Sequence, residues 1–248
     1  MATDIIQQSP CFSLVFEENY GTNPGGWYRD NETGDRKYVK TYENPDQTRV
    51  EVLANILYDT AGIPAAHSVL SAVGGRLAIV SDEVVGSTLE PYSPHQVKIL
   101  QSRPEFIDGA LADMWLGNYD VIGCYGDNVV QQPNGTVVRI DNGGSMHFRA
   151  RGKIKPFPHD RVPELEGMRD PNVIPMSNPS IAQSTAGRVF HILTDAAIAD
   201  QASRLFCTVT KEVIEDRTAS VNFDPETRKR VTETLLGRRA YLMEHYDL

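Results

Sequence analysis

The apolar residues of this chain change their period once, near Gly86, and that change limits the folds open to it. From Phe12 to Asp82 they alternate along five short stretches, 12–17, 27–30, 37–42, 67–72 and 76–81, as the two faces of half-buried strands do. One helix interrupts the strands at about 45–61. Asn44 is its N-cap candidate, Pro45 suits the first helical position, Gln47 stands at the third, and Gly62 supplies a stop. Val73-Gly74-Gly75-Arg76 predicts a tight hairpin, because two glycines accept the positive φ angles of a primed turn. Beyond Gly86, Ile107, Ala110, Leu111, Met114 and Trp115 recur at helical spacing and predict an amphipathic helix that ends before Asn118. A short hairpin follows, 129–131 and 137–140 around Pro133-Asn134-Gly135. Residues 143 to about 186, rich in Gly, Pro, Ser and Arg, read as a long loop, and helices at about 194–216 and 224–246 close the chain. The expectation is an α+β fold in two parts, 1–85 strand-rich with one helix and 86–248 mostly helical.

Composition narrows the function classes. A chain of 248 residues that is 40% apolar can bury one large core, or two small ones with a cleft between them. A formal charge of −9 argues against a protein held on nucleic acid by phosphate contacts, so no nucleic-acid partner is expected. Three cysteines, Cys11, Cys124 and Cys207, are odd in number and far apart, which suits reduced thiols and a cytoplasmic setting. Met1-Ala2-Thr3-Asp4 has no leader character, and no run approaches the ~20 apolar residues of a membrane span.

Chemistry enters through charged residues placed where strands and helices end. Gly21-Thr22-Asn23-Pro24-Gly25-Gly26 is a glycine-rich turn between two strands. Such a turn can bring backbone N–H groups against phosphate oxygens, or it can be a plain hairpin loop. In Arg36-Lys37-Tyr38-Val39-Lys40, Lys40 lies on the face opposite Val39, and a lysine turned inward needs a partner. Glu51, on the helix that follows, is the obvious one, with Lys37 a rival for the place of Lys40. Asp120 sits in a loop after a helix, Asn128 precedes a strand, and Asp141 ends the returning strand in Arg139-Ile140-Asp141-Asn142-Gly143-Gly144. Magnesium prefers hard oxygen ligands and takes one or two carboxylates plus substrate phosphates, which suits Asn128 and Asp141. A third carboxylate can take the proton of an attacking hydroxyl, the role that fits Asp120. Any one of these residues alone is an ordinary turn cap. Their order, strand lysine, helix glutamate, loop aspartate, asparagine, strand-end aspartate, is that of a kinase.

With these motifs in view the chain resembles the atypical kinases related to HipA, actin-fragmin kinase and the phosphoinositide 3/4-kinases. The resemblance rests on Gly21 to Gly26, Tyr38-Val39-Lys40, Glu51-Val52-Leu53-Ala54, Gly117-Asn118-Tyr119-Asp120, Asp127-Asn128 and Arg139 to Gly144, and spans roughly residues 18–200. It implies a bilobal protein-kinase-like fold, a β-rich N-lobe with one helix and a mostly helical C-lobe, with ATP and Mg²⁺ between them. By motif match Gly25, Gly26 and Lys40 would hold ATP, Glu51 would orient Lys40, Asp120 and Lys40 would be the catalytic pair, and Asn128 and Asp141 would bind the metal. Two departures stand out. Asn128 follows Asp120 by eight positions where the usual catalytic loop has five, leaving Asp127 as an alternative base, and the Asp-Arg-His of the phosphoinositide enzymes is missing, since Val121 and Ile122 follow Asp120.

The expected activity is transfer of a γ-phosphoryl group to a protein Ser or Thr. A metabolite, antibiotic or lipid acceptor, a nucleotide-binding pseudokinase and a kinase-like nucleotidyl transferase are the alternatives. Arg149, Arg151, Lys153 and Lys155 alternate after the Asp141 turn and either meet an acidic or phosphorylated substrate or face water. Ser177, Ser180, Ser184 and Thr185 are self-phosphorylation candidates, and among six histidines only His147, just past the Asp141 turn, draws notice.

Overall fold

The computed structural model describes residues 11–17, 23–89, 94–149, 151–172 and 185–248. Strands β1 (Phe12–Glu17), β2 (Gly25–Asp30), β3 (Arg36–Lys40), β4 (Ser68–Val73) and β5 (Arg76–Asp82) form one antiparallel sheet in the order β1-β2-β3-β5-β4. Helix α1 (Pro45–Thr60) connects β3 to β4. Successive side chains of a strand point to opposite faces, and here both faces are used. Val39 packs with Tyr28, Val73, Ala78 and Val80 on one side, while Ile79, paired in register with Lys40, joins the main core with Val50, Leu53 and Leu57 of α1. Lys40 is thereby delivered to the helix side of the sheet.

The local signals explain the ends of these elements. Asn44 accepts a hydrogen bond from the Asp46 N–H at 2.9 Å and starts α1, and Gly62, at φ +70°, follows its close. Val73 pairs with Arg76 across a two-residue turn in which Gly74 and Gly75 both have positive φ, the geometry that closes a twisted hairpin.

After β5 come β6 (Ser87–Thr88), α2 (Pro94–Gln101), α3 (Pro104–Ile107), α4 (Ala110–Trp115), and the hairpin β7 (Val129–Gln131) and β8 (Val137–Arg139), which pairs with β6 in a three-stranded sheet. Helices α5 (Glu164–Gly167), α6 (Thr185–Phe190), α7 (Asp195–Thr208), α8 (Lys211–Ser220) and α9 (Pro225–His245) complete the chain. None of the described helices is long and apolar enough to cross a membrane.

Several expectations are corrected. The amphipathic stretch around 107–115 is two helices, and between them a Cβ on Gly109 would come 2.6 Å from the Arg139 guanidinium, so glycine leaves the room that side chain needs. The span 194–216 is also broken. Thr210 takes an extended backbone and its hydroxyl accepts from the Val213 N–H, so α8 starts with its own cap. Residues 143–186 are more than a loop: they hold a 3₁₀ turn at Asn142–Gly144, a bridge between Phe148 and Ile154, and helix α5. Gly25 and Gly26 belong to β2 instead of the turn before it, and Ser177, Ser180 and Ser184, with Gly21 and Thr22, lie outside the described residues.

Helix α9 anchors the segment that leads into the candidate site. Arg238, wholly buried, pairs with Glu164 at 2.6 Å and donates to the carbonyls of Met114 and Trp115 at 2.8 Å. The end of α4, and the loop carrying Asp120 after it, is therefore held by a charge-assisted clamp.

Candidate active site

Lys40 and Asp141 are 101 positions apart and 2.7 Å from each other. The Lys40 ammonium also lies 2.9 Å from both oxygens of Glu51, whose Oε2 accepts the Tyr42 hydroxyl at 2.5 Å. Tyr42 in turn stands 3.3 Å from Asp141 Oδ1, with its ring centroid 5.0 Å from the ammonium. Burial alone would discharge Lys40, but Asp141 and Glu51 outweigh it and hold the lysine charged, well above its usual pKa. Burial raises the Glu51 carboxyl against the pull of Lys40, whereas at the half-exposed Asp141 the Lys40 ammonium outweighs desolvation and holds that carboxylate ionised, below its usual pKa. Lys37, on the other face of β3, is paired with Asp82 at 2.6 Å and stays out of this cluster.

Asp141 adopts a left-handed backbone, φ +52° and ψ +55°, at the start of the 3₁₀ turn. A network behind it holds this uncommon conformation. Asn142 donates to Asn55 Oδ1 at 2.7 Å and accepts from Asn118 at 2.9 Å. Beneath them Arg139 forms a two-pronged pair with Asp113, at 2.7 and 2.8 Å, both side chains wholly buried, and Tyr58 donates to the same carboxylate at 2.8 Å. Gln47 reaches from α1 to the Gly143 carbonyl at 3.0 Å and the Arg149 carbonyl at 3.1 Å. A Cβ on Gly143 would lie 1.9 Å from the Tyr42 hydroxyl oxygen and 2.7 Å from Glu51 Oε2. Gly143→Ala is therefore expected to push Tyr42 from Glu51 and lower the stability by about 1–3 kcal/mol, measured as a fall in the urea midpoint. An unchanged midpoint would mean that Tyr42 is free to move.

The eight-residue interval before Asn128 is folded up by turns. Gly123 and Gly126 have φ of +76° and +71°, the Gly123 N–H donates to the Asp120 carbonyl at 2.8 Å, and the Asn128 side chain donates to that same carbonyl at 2.7 Å. The extra length is spent before Asn128 returns to Asp120. Ile140 donates its N–H to the Asn128 carbonyl at 2.9 Å, so Asn128 and Asp141 end at the same edge of the β7–β8 hairpin. Asp127 is exposed and accepts from the Tyr125 N–H at 3.3 Å, the work of a turn cap. Asp120 is half-buried, and burial first, then Asp141 and Asp127, push its carboxyl up to about 7. Gly25 and Gly26 pair in register with Lys40 and Val39, placing backbone without side chains beside the lysine.

The donor set fits magnesium. The Asp141 side chain is 50% exposed with one oxygen on Lys40, and the Asn128 amide nitrogen is committed to Asp120, leaving a carboxylate oxygen and an amide oxygen as hard ligands.

Several residues of the site escaped the sequence reading. Lys155, grouped there with a basic run that could face water, is buried and donates to the carbonyls of Gly117 and Gly144, tying the Asp120 loop to the Asp141 turn. Burial, aided by Arg238 and Arg149, lowers its pKa to about 7. Tyr42 carried no sequence signal, Gln47 was legible only as the third residue of its helix, and Asn118 and Asn142 stood in the motifs without a role of their own. Arg139, set between Val138 and Ile140 in a strand pattern, did carry a signal: an arginine in an apolar strand needs a buried carboxylate. His147 is half-buried, its pKa lowered to about 4 by burial.

No family model matches the chain, and no curated protein matches it. Solved structures do. The crystal structure of a Helicobacter pylori proinflammatory kinase, CtkA, aligns with a TM-score of 0.62 at 12% identity, covering 96% of this chain and 97% of that one. HipA of Shewanella oneidensis, in a toxin–antitoxin complex with HipB and operator DNA, gives a TM-score of 0.44 at 10% identity over 98% of this chain and 70% of that one. A putative aminoglycoside phosphotransferase from Ralstonia eutropha gives 0.39 at 12% identity over 98% and 96%. The first of these alignments shows that the chain has a kinase-like α+β fold, a β-sheet N-terminal region with a helical C-terminal part.

Proposed function

We propose that the protein is a phosphotransferase that moves the γ-phosphoryl group of Mg-ATP to a hydroxyl, that of a protein Ser or Thr. The observation that carries this reading is the cluster in which Lys40 bridges Glu51 and Asp141 while Asn128 and Asp120 meet beside the same turn. In this reading residues 1–85 are the N-lobe and 86–248 the C-lobe. Lys40, oriented by Glu51, grips donor phosphates against the backbone of Gly25 and Gly26. Asn128 and Asp141 hold Mg²⁺, which supplies charge neutralisation for the phosphates. Asp120 takes the proton of the acceptor hydroxyl, that oxygen bonds to the γ-phosphorus, and the bond to the β–γ bridging oxygen breaks to release ADP. The contact between Asn128 and the Asp120 carbonyl supports an active catalytic loop over a pseudokinase.

Incubation with labelled ATP, Mg²⁺, cell lysate and a metabolite pool tests the assignment. Phosphate on protein bands is the expected result. Label on metabolites alone moves the acceptor to small molecules, AMP on the acceptor makes it a nucleotidyl transferase, and ATP binding without any transfer overturns the enzyme reading.

The pH profile follows from Asp120. A base acts ionised, and a carboxyl held at about 7 gains its charge as pH rises through that value. On the acid limb kcat/KM is expected to rise up to tenfold per pH unit until the carboxyl is ionised. Asp141 is one cause of the raised value, so added Mg²⁺, by neutralising Asp141, should move the limb to lower pH. A flat profile between pH 5 and 8 at every Mg²⁺ concentration would remove Asp120 from the role.

A further inference from the structure

Beside the Asp141 turn lies a cavity of about 650 Å³ that the roles above do not use. Its walls come from three places in the chain: Asn23 just before β2, Glu43, Asn44 and Gln47 at the start of α1, and Arg151 and Lys153 from the segment after Asp141. The basic pair stands on a closed turn. Arg149 donates its N–H to the Lys153 carbonyl at 2.7 Å, Gly152 donates to the Arg149 carbonyl at 2.8 Å, and the Phe148–Ile154 bridge seals the base. Gln47 ties this turn to α1 through the Arg149 carbonyl, and with the same nitrogen holds the Gly143 carbonyl two residues from Asp141. The cavity wall and the candidate metal turn are thus joined by one side chain. Arg151 also lies near the Asp120 loop. Cys124, whose thiol burial and Asp120 push up, feels the charge of Arg151 pulling the other way.

The charge of the cavity runs against that of the molecule. The chain carries −9, yet Arg151 and Lys153 are both exposed, and among the described residues neither has a carboxylate within 4.0 Å. Glu43 offsets one of them in the lining. The first turn of α1, a 16-residue helix, adds its positive pole to the same wall. Arg151 and Lys153 on a braced turn, against Glu43 alone among the charged lining residues, leave the cavity a net positive receptor for negative charge, joined through Gln47 to the turn that carries Asp141.

We infer that this cavity receives a carboxylate or phosphate borne by the acceptor next to its hydroxyl, so that the substrate class is an acidic or phosphorylated protein segment. The inference rests on the kinase reading above and names the acceptor for that same site.

Serine peptides of one length, flanked by Asp and Glu, by phosphoserine, by Ala or by Lys, test it through kcat/KM with Mg-ATP. The wild-type protein is expected to favour the acidic and phosphorylated peptides at least tenfold over the Ala peptide, and the Lys peptide least. In the Arg151→Ala/Lys153→Ala variant that ratio should fall to near one, and Arg151→Glu/Lys153→Glu should favour the Lys peptide. Acidic over phosphorylated preference, or the reverse, tells which anion the site takes. Equal wild-type rates on all peptides overturn the inference. A rise in the KM for ATP with an unchanged peptide ratio in the Ala variant also overturns it, by assigning Arg151 and Lys153 to the donor. When lysate proteins are labelled but no peptide is, the modified sites read by mass spectrometry decide, and sites without neighbouring acidic or phosphorylated residues sink it. Absence of transfer to every acceptor, lysate included, is the separate failure of the kinase reading and takes this inference with it.

Discussion

Asp141→Asn protein is expected to stay folded and, with Asp141 in its proposed role as a metal ligand, to lose the proposed phosphoryl transfer by about 10³-fold or more, since such a ligand supplies several kcal/mol of charge stabilisation. Asparagine is the substitution that isolates the charge. It is one of the few residues that tolerate the left-handed backbone at φ +52°, so the turn is retained, whereas alanine there would add strain. Lys40 keeps Glu51 as partner, so its buried ammonium is not stranded. What is lost is one negative oxygen, the proposed metal ligand, on an otherwise unchanged frame. The check is single-turnover transfer from labelled ATP at saturating and limiting Mg²⁺, beside a thermal melt of the same preparation. Normal transfer by this variant would remove Asp141 from the metal site, and a melt collapsed by tens of degrees would mean that its charge is structural.

The second large effect lies where no reacting group is involved. Arg139→Met is expected to destabilise the fold by about 3–5 kcal/mol, because it leaves the Asp113 carboxylate buried without its cation. Arg139 supplies both nitrogens that pair with Asp113 and a bond to the Phe106 carbonyl at 2.9 Å, and its guanidinium lies 4.5 Å from the Phe106 ring centroid. In the native protein burial raises the Asp113 carboxyl and Arg139 opposes it. Without the arginine the folded-state pKa climbs further above its unfolded value. The folded form then holds a proton that the unfolded form releases, so the variant loses stability as pH rises above the unfolded carboxylate range. Urea denaturation at pH 5 and pH 8 should show the larger deficit at pH 8. Arg139→Met/Asp113→Leu, which removes both charges, should recover much of the loss. A single variant as stable as the native chain would mean that the carboxylate finds another partner.

How much of this was legible beforehand depends on the range of the interaction. The β4–β5 turn could be read from Gly74 and Gly75 because the positive φ of a primed turn is a property of those two residues. Helix α1 starts where Asn44 and Pro45 say it should for the same local reason. The need for glycine at position 109 was illegible, since the space a Cβ would fill is taken by Arg139, thirty positions downstream. Thr210 carried a cap signal that the helical period on either side of it masked.

The candidate site divides along the same line. Strand alternation placed Lys40 on the face away from Val39, and helix order after it singled out Glu51. Residue chemistry alone marked Asp120, Asn128 and Asp141 as oxygen donors at the ends of elements. The pairings among them are tertiary: whether an eight-residue interval separates Asp120 from Asn128 or folds them together was settled by turns at Gly123 and Gly126. Lys155 shows the limit best, because its residue type and its alternating neighbours suit water, and only the approach of the Gly117 and Gly144 carbonyls makes it an internal tie. The sequence by itself determined the order of the first five strands and α1 and the kinds of group available at the ends of elements, because period and capping act over a few residues. Only the tertiary structure decided which of those groups meet, because hydrogen bonds and ion pairs act over a few ångströms between positions that the chain sets as far as 101 residues apart.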